Sequence, residues 1–157
     1  MNLPVISHRF VDVGGVTVFY REAGPVDETT VLLLHGFPSA SHQYRRLMDA
    51  LGARYRLIAP DYPGFGHTEV PDGFSYSFDS LAAVIEGFVT TLGLEHVVMY
   101  MFDFGGPVGM RLASRRPDLV RGLILQNANA YDEGLSEEAR YTINAPADEL
   151  GGLFTLP

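Results

Sequence analysis

Val97-Val98-Met99-Tyr100-Met101-Phe102-Asp103-Phe104-Gly105-Gly106-Pro107-Val108-Gly109 is the stretch on which the fold turns. It opens as an unbroken apolar run, the mark of a strand covered on both faces. It then sets one carboxylate, Asp103, between two phenylalanines, and two glycines follow at once. Small and apolar residues continue to Ala113, and Arg115-Arg116-Pro117 closes the segment. The pattern predicts strand, sharp turn, helix, with Asp103 on the turn at the carboxyl end of the strand. Gly105 and Gly106 let the helix pass close to the strand without a side-chain clash.

Working upstream, Val31-Leu32-Leu33-Leu34 is a second short apolar strand, and His35-Gly36-Phe37-Pro38 follows it directly. Arg56-Leu57-Ile58-Ala59-Pro60 is a third, followed by the glycine- and proline-rich loop Asp61-Tyr62-Pro63-Gly64-Phe65-Gly66. Between these, Ser39 or Ser41 is expected to cap a helix with Tyr44, Leu47, Met48 and Leu51 on one face, ending at Gly52. Ser77 is expected to cap another, with Leu81, Val84, Ile85, Phe88 and Leu92 facing inward and its end near Gly93. Residues 8–13 and 16–21 flank Gly14-Gly15 and read as an antiparallel hairpin, with a loop over 22–30. Downstream, Gly122-Leu123-Ile124-Leu125-Gln126 is the last clear strand.

Strands separated by helices indicate parallel pairing with right-handed crossovers. The expected fold is α/β: a mixed, mostly parallel sheet of about six strands with helices on both faces. Ligands bind such sheets beyond the carboxyl ends of the strands. His35 to Pro38, Asp61 to Gly66, and Asp103 all fall at such ends, and their convergence on one rim marks the candidate site.

Composition sets the limits. The chain has 157 residues, 46% of them hydrophobic, enough for one domain with a buried core. Its net charge is −8 and every basic residue is arginine, which argues against a nucleic-acid partner. No stretch reaches the roughly 18–20 apolar residues of a membrane span, and no signal peptide is visible. A cytoplasmic protein is expected, with no membrane partner. There is no cysteine, no metal-ligand spacing and no phosphate-binding glycine loop, so neither metal nor cofactor is expected.

The three motifs, in this order and spacing, resemble the α/β-hydrolase superfamily over about residues 8–131. Within it they resemble the aspartate-nucleophile branch of epoxide hydrolases and dehalogenases, with the strand–turn–helix as the nucleophile elbow. The resemblance implies that Asp103 is the nucleophile and that the backbone N–H groups of Phe37 and Phe104 form the oxyanion hole. His35, Gly36, Pro38, Asp61, Gly105 and Gly106 would be structural beside the site. Haloalkane dehalogenases usually carry a polar residue where Phe37 stands and a tryptophan where Phe104 stands, and those two hold the departing halide. This chain has no tryptophan, which favours the epoxide-hydrolase-like reading. No arginine follows Asp103, against a fluoroacetate-dehalogenase-like activity. Met101 replaces the small residue often found two before the nucleophile.

The resemblance also implies a downstream acid and histidine, with a helical cap before them. All five histidines (His8, His35, His42, His67 and His96) precede Asp103. Residues 1–131 are therefore expected to be the N-terminal part of the core and 132–157 an incomplete cap or tail segment. The chain would stop before the remainder of the cap and the last strands. Cap tyrosines of the family commonly support the developing alkoxide, and Tyr131 and Tyr141 lie in the region leading into the cap. His42 and His67 are read as solvated loop residues ahead of any role as base, and His8 and His96 as surface residues. Arg115 and Arg116 are read as complementing a helix dipole. Phe65, Phe74 and Tyr76 suit a pocket lining as well as ordinary packing.

The expected function is thus hydrolysis of a small molecule through an aspartyl ester, most like an epoxide hydrolase. A carboxylate needs no base to attack, but hydrolysing its ester does. The alternative is a catalytically inactive piece, or an association module that pairs through an unpaired sheet edge around Leu123 to Leu125.

Overall fold

The computed structural model describes residues 4–144 and gathers six strands into one mixed sheet. β1 (Ile6–Val13) and β2 (Val16–Ala23) make the expected hairpin, with Gly14 and Gly15 both at positive φ in its turn. β3 (Thr30–Leu34), β4 (Arg56–Pro60), β5 (Val97–Phe102) and β6 (Val120–Gln126) are mutually parallel. The order is β1-β2-β4-β3-β5-β6, with β2 antiparallel to β4. β3 therefore lies between β4 and β5, and the loop leaving it is flanked by the loops that leave those two strands. That adjacency brings the three motifs onto one rim.

Alternation along β3 and β4 divides the core between two faces. Leu32, Leu34 and Ile58 join the residues of α2 (Phe78–Thr91) and α3 (Gly105–Arg115) on one side. Leu33, Leu57 and Ala59 join Tyr44 and Met48 on the other. Met48 lies on α1 (Arg45–Leu51), which continues a 3₁₀ turn over Ser41–Tyr44. The last described element is α4 (Glu137–Asn144), after a 3₁₀ turn over Asp132–Gly134. The rest of the expected cap or tail segment, residues 145–157, lies outside the described residues.

Ser77 caps α2 as expected. Its hydroxyl accepts from the Ser80 amide, and the Ser80 hydroxyl accepts from the Ser77 amide. The first helix corrects the sequence reading. Neither Ser39 nor Ser41 caps it with a side chain. The Ser41 amide instead donates to Asp61 Oδ1 at 2.7 Å, and the Ser41 hydroxyl accepts from Arg21 Nε at 3.2 Å. A carboxylate from the next loop satisfies an amide that a local serine was expected to serve. Leu51 is exposed, so the inward face of this segment is narrower than read.

Arg115 and Arg116 also find partners other than the helix terminus alone. Arg115 pairs with Asp79 and Glu86, and Arg116 with Asp118. Among the described residues β6 pairs only with β5, and Leu123, Ile124 and Leu125 on it are exposed. No helix among them is long and apolar enough to cross a membrane.

Candidate active site

Asp103 is the first residue after β5 and sits at φ +50°, a region that non-glycine residues seldom occupy. The turn lifts its carboxylate towards the loop after β3. Oδ1 accepts from the Phe37 N–H at 2.8 Å and from the Phe104 N–H at 2.7 Å. Oδ2 takes no hydrogen bond from any described residue. Phe104 immediately precedes α3, so one of the two amides belongs to a helix N-terminus, where negative charge is stabilised.

Close approach explains the glycines. A Cβ on Gly36 would stand 2.5 Å from Asp103 Cβ and 2.8 Å from Asp103 Oδ1. On Gly105 it would stand 2.3 Å from the Leu34 carbonyl oxygen, and on Gly106 2.7 Å from that of Asn129. These absent side chains let the loop after β3, the turn at Asp103 and the start of α3 share one small volume. The Phe37–Pro38 peptide between the amide and the helix is cis.

His35 is fully buried against the ring of Tyr62, with centroids 4.2 Å apart. Its Nε2 lies 3.2 Å from the Tyr62 amide, which can only donate, so Nε2 accepts. Nδ1 then carries the proton and donates to the Gly36 carbonyl at 3.1 Å. The imidazole is neutral, and burial pushes its pKa below the ordinary 6.5. Asp61 is also buried, and both its oxygens serve backbone amides: Oδ1 that of Ser41 and Oδ2 that of His67 at 2.9 Å. The side chains of His35 and Asp61 therefore tie loops together on the rim that carries Asp103.

The side chains of the two amide-bearing residues form an apolar wall. The rings of Phe37 and Phe104 stand 5.6 Å apart, and Phe65 meets each edge-on at 6.3 Å. Phe78, at the start of α2, supports Phe104 edge-on at 4.9 Å. Tyr131 and Tyr141 are both exposed. His67 is exposed and lies edge-on to Phe19 at 4.9 Å, and His8, His42 and His96 are exposed too.

Sequence reasoning does not single out Phe78, whose signal is hidden behind its place next to a helix cap. It also misses Gln43, whose Oε1 accepts from the Gly36 amide, and Tyr62, whose buried hydroxyl has no described partner. Nothing local marks either, because what they face comes from other elements.

The family described as the alpha/beta hydrolase fold matches residues 29–154. The chain belongs to the α/β-hydrolase fold family. An uncharacterized hydrolase of Saccharomyces cerevisiae is 48% identical over 136 residues, 87% of this chain and 47% of that protein. Haloalkane dehalogenase 2 of Mycobacterium tuberculosis is 48% identical over 105 residues, 65% of this chain and 37% of that protein. The crystal structure of a haloalkane dehalogenase from Bradyrhizobium elkanii superposes with a TM-score of 0.75 at 36% identity, over 78% of this chain and 40% of that one. The chain thus spans less than half the length of these α/β-hydrolase relatives.

Proposed function

We propose that Asp103 is a nucleophile that opens epoxides and leaves an ester between its own carboxylate and a substrate carbon. The observation that carries this is the division of labour in the carboxylate. Oδ1 is held by two amides at 2.8 and 2.7 Å, while Oδ2 is left for a substrate. In the step, Oδ2 forms a bond to an epoxide carbon as that carbon's bond to the ring oxygen breaks. The electron pair goes to the ring oxygen, which takes a proton from water. Oδ1 becomes the ester carbonyl oxygen. If water later attacks that ester, the negative charge develops on Oδ1, where two N–H groups already point.

Hydrolysis of the ester needs a general base. His35 is neutral with both ring nitrogens engaged, and among the described residues no histidine is hydrogen-bonded to Asp103. With no base in place on Asp103 the expected outcome is an ester that persists, one adduct per chain.

The family relatives support a second reading, haloalkane cleavage, since two of those compared are haloalkane dehalogenases. Against it, the side chains of Phe37 and Phe104 are hydrocarbon rings with no N–H to offer a departing halide, and their backbone amides are already on Asp103 Oδ1. Mass spectrometry separates the two. The chain is incubated in parallel with a terminal epoxide and with a bromoalkane of equal length, each beside Asp103→Asn. An adduct of the epoxide's full mass on the Asp103 peptide, absent from the variant, is the expected result. Bromide release with no epoxide adduct would make the dehalogenase reading the better one. No adduct from either would leave the reading of an association module, for which the exposed Leu123, Ile124 and Leu125 of β6 offer a surface.

A further inference from the structure

Phe78 packs against two residues of one helical segment. Phe104 immediately precedes α3 with helical backbone angles, and Arg111 stands seven positions later, close to two turns on, so the two share a face. Phe78, the first residue of α2, meets the Phe104 ring edge-on at 4.9 Å, with 80° between the planes. The Arg111 guanidinium lies over the Phe78 ring, 5.8 Å from its centroid. That guanidinium is itself aimed: Nη1 donates to the Pro107 carbonyl at 3.1 Å and Nε to Asp79 Oδ1 at 3.2 Å. Asp79 sits in the first turn of α2, where negative charge is favoured, and takes a further bond from Arg115 Nη2 at 2.9 Å.

We infer that Phe78 is a positioning residue: held by Arg111, it fixes the angle of the Phe104 ring in the wall beside Asp103, and the fixed ring makes the site select an aryl group on the substrate. The inference rests on Asp103 as nucleophile and extends that reading to a substrate class. Aromatic rings attract one another by orientation. A phenyl group gains from an edge-on or offset partner only while that partner's angle is held, whereas a saturated ring gains from buried area at any angle. The other rings on Phe104 belong to loops, Phe37 at 5.6 Å and Phe65 at 6.3 Å. Of the three, Phe78 is the one carried by a helix. The guanidinium over its ring adds a cation–π attraction that ties α2 to α3.

Terminal epoxides bearing a benzyl or a cyclohexylmethyl group are close in length and volume and differ in the π system. Alkylation of Asp103 in the 157-residue chain by each is followed by peptide mass, and the ratio of the two second-order rates is the readout. Both rates come from one preparation, so a partly unfolded variant loses both alike and keeps the ratio. The parent is expected to prefer the benzyl epoxide. Phe78→Leu is expected to lower the ratio roughly two- to tenfold, the range of an oriented ring pair. Phe78→Tyr keeps the ring and restores the ratio. Arg111→Met keeps an unbranched apolar stem without the charge and lowers the ratio by a smaller factor. The Phe104 ring protons give a readout apart from alkylation. The ring current of residue 78 shifts them in the parent and in Phe78→Tyr, and that shift is lost in Phe78→Leu, with the amides of β5 unchanged as the control for folding.

A parent with no preference between the two epoxides, or a Phe78→Leu chain with the parent's ratio, would overturn the inference. So would equal falls in Phe78→Leu and Phe78→Tyr, which would make Phe78 a packing element alone. An Arg111→Met chain with the parent's ratio would contradict the part given to the guanidinium. A parent alkylated by neither epoxide would sink the reading of Asp103, and the Phe104 ring shifts would still decide whether Phe78 sets that ring.

Discussion

Asp103 shows how much a single backbone angle decides. At φ +50° the turn carries the carboxylate out of the sheet and onto two amides. The room for it is made by a missing atom on Gly36. Gly36→Ala would place a methyl group 2.5 Å from Asp103 Cβ and 2.9 Å from Phe102 Cδ1. It is expected to cost about 1–3 kcal/mol of stability, as forced overpacking does, and to remove alkylation at Asp103. Urea unfolding and peptide mass spectrometry check the two parts. His35 gives a pH dependence of defined sign. Burial lowers its pKa in the folded chain, so between that value and the unfolded 6.5 the unfolded chain binds the extra proton. Its contribution to stability is complete above pH 6.5 and is lost as pH falls towards the folded value, by at most about 1.4 kcal/mol per pH unit. Subtracting the unfolding curve of His35→Asn from that of the parent, pH by pH, isolates this slope. A flat difference would contradict the neutral, clamped imidazole.

At the scale of elements, the features legible in the sequence are local. The run from Val97 to Phe102 and the glycines behind Asp103 specify strand, turn and helix from their own residues, and β5 and α3 stand where they are expected. Ser77 likewise caps α2 from within its own turn. Its replacement by alanine is expected to cost about 1 kcal/mol, read from the thermal midpoint against urea unfolding of the same samples. Capping and support from a distance escape the sequence. Ser41 misleads because the group that satisfies its amide is the Asp61 carboxylate, which lies 20 positions away. Phe78 gives no signal because its partner, Phe104, belongs to another helix boundary. β6 carries the remaining expectation of this scale. Leu123, Ile124 and Leu125 are 41%, 45% and 51% exposed on a strand with one described neighbour. Pairing with a second copy through that edge is expected. A dilution series on a sizing column should show a concentration-dependent dimer or larger species, and Ile124→Lys should shift it to monomer. A parent chain that stays monomeric at every concentration would refute this.

Across the whole molecule, the order β4-β3-β5 is what assembles the candidate site. The sequence reveals the three motifs and the family they resemble, and the structure supplies the contacts between them. The oxyanion amides are expected from the resemblance. The side-chain wall around them, the clamp on His35 and the use of both Asp61 oxygens require the packed chain. Membership of the α/β-hydrolase family leaves the chemistry to be decided by experiment on this chain. The most direct measurement is intact-mass and peptide-level spectrometry of the 157-residue chain after exposure to a reactive terminal epoxide. One equivalent of the epoxide's full mass, retained on Asp103 and absent from Asp103→Asn, is the predicted result. Labelling elsewhere, equal labelling of the variant, or turnover with no retained adduct would contradict it.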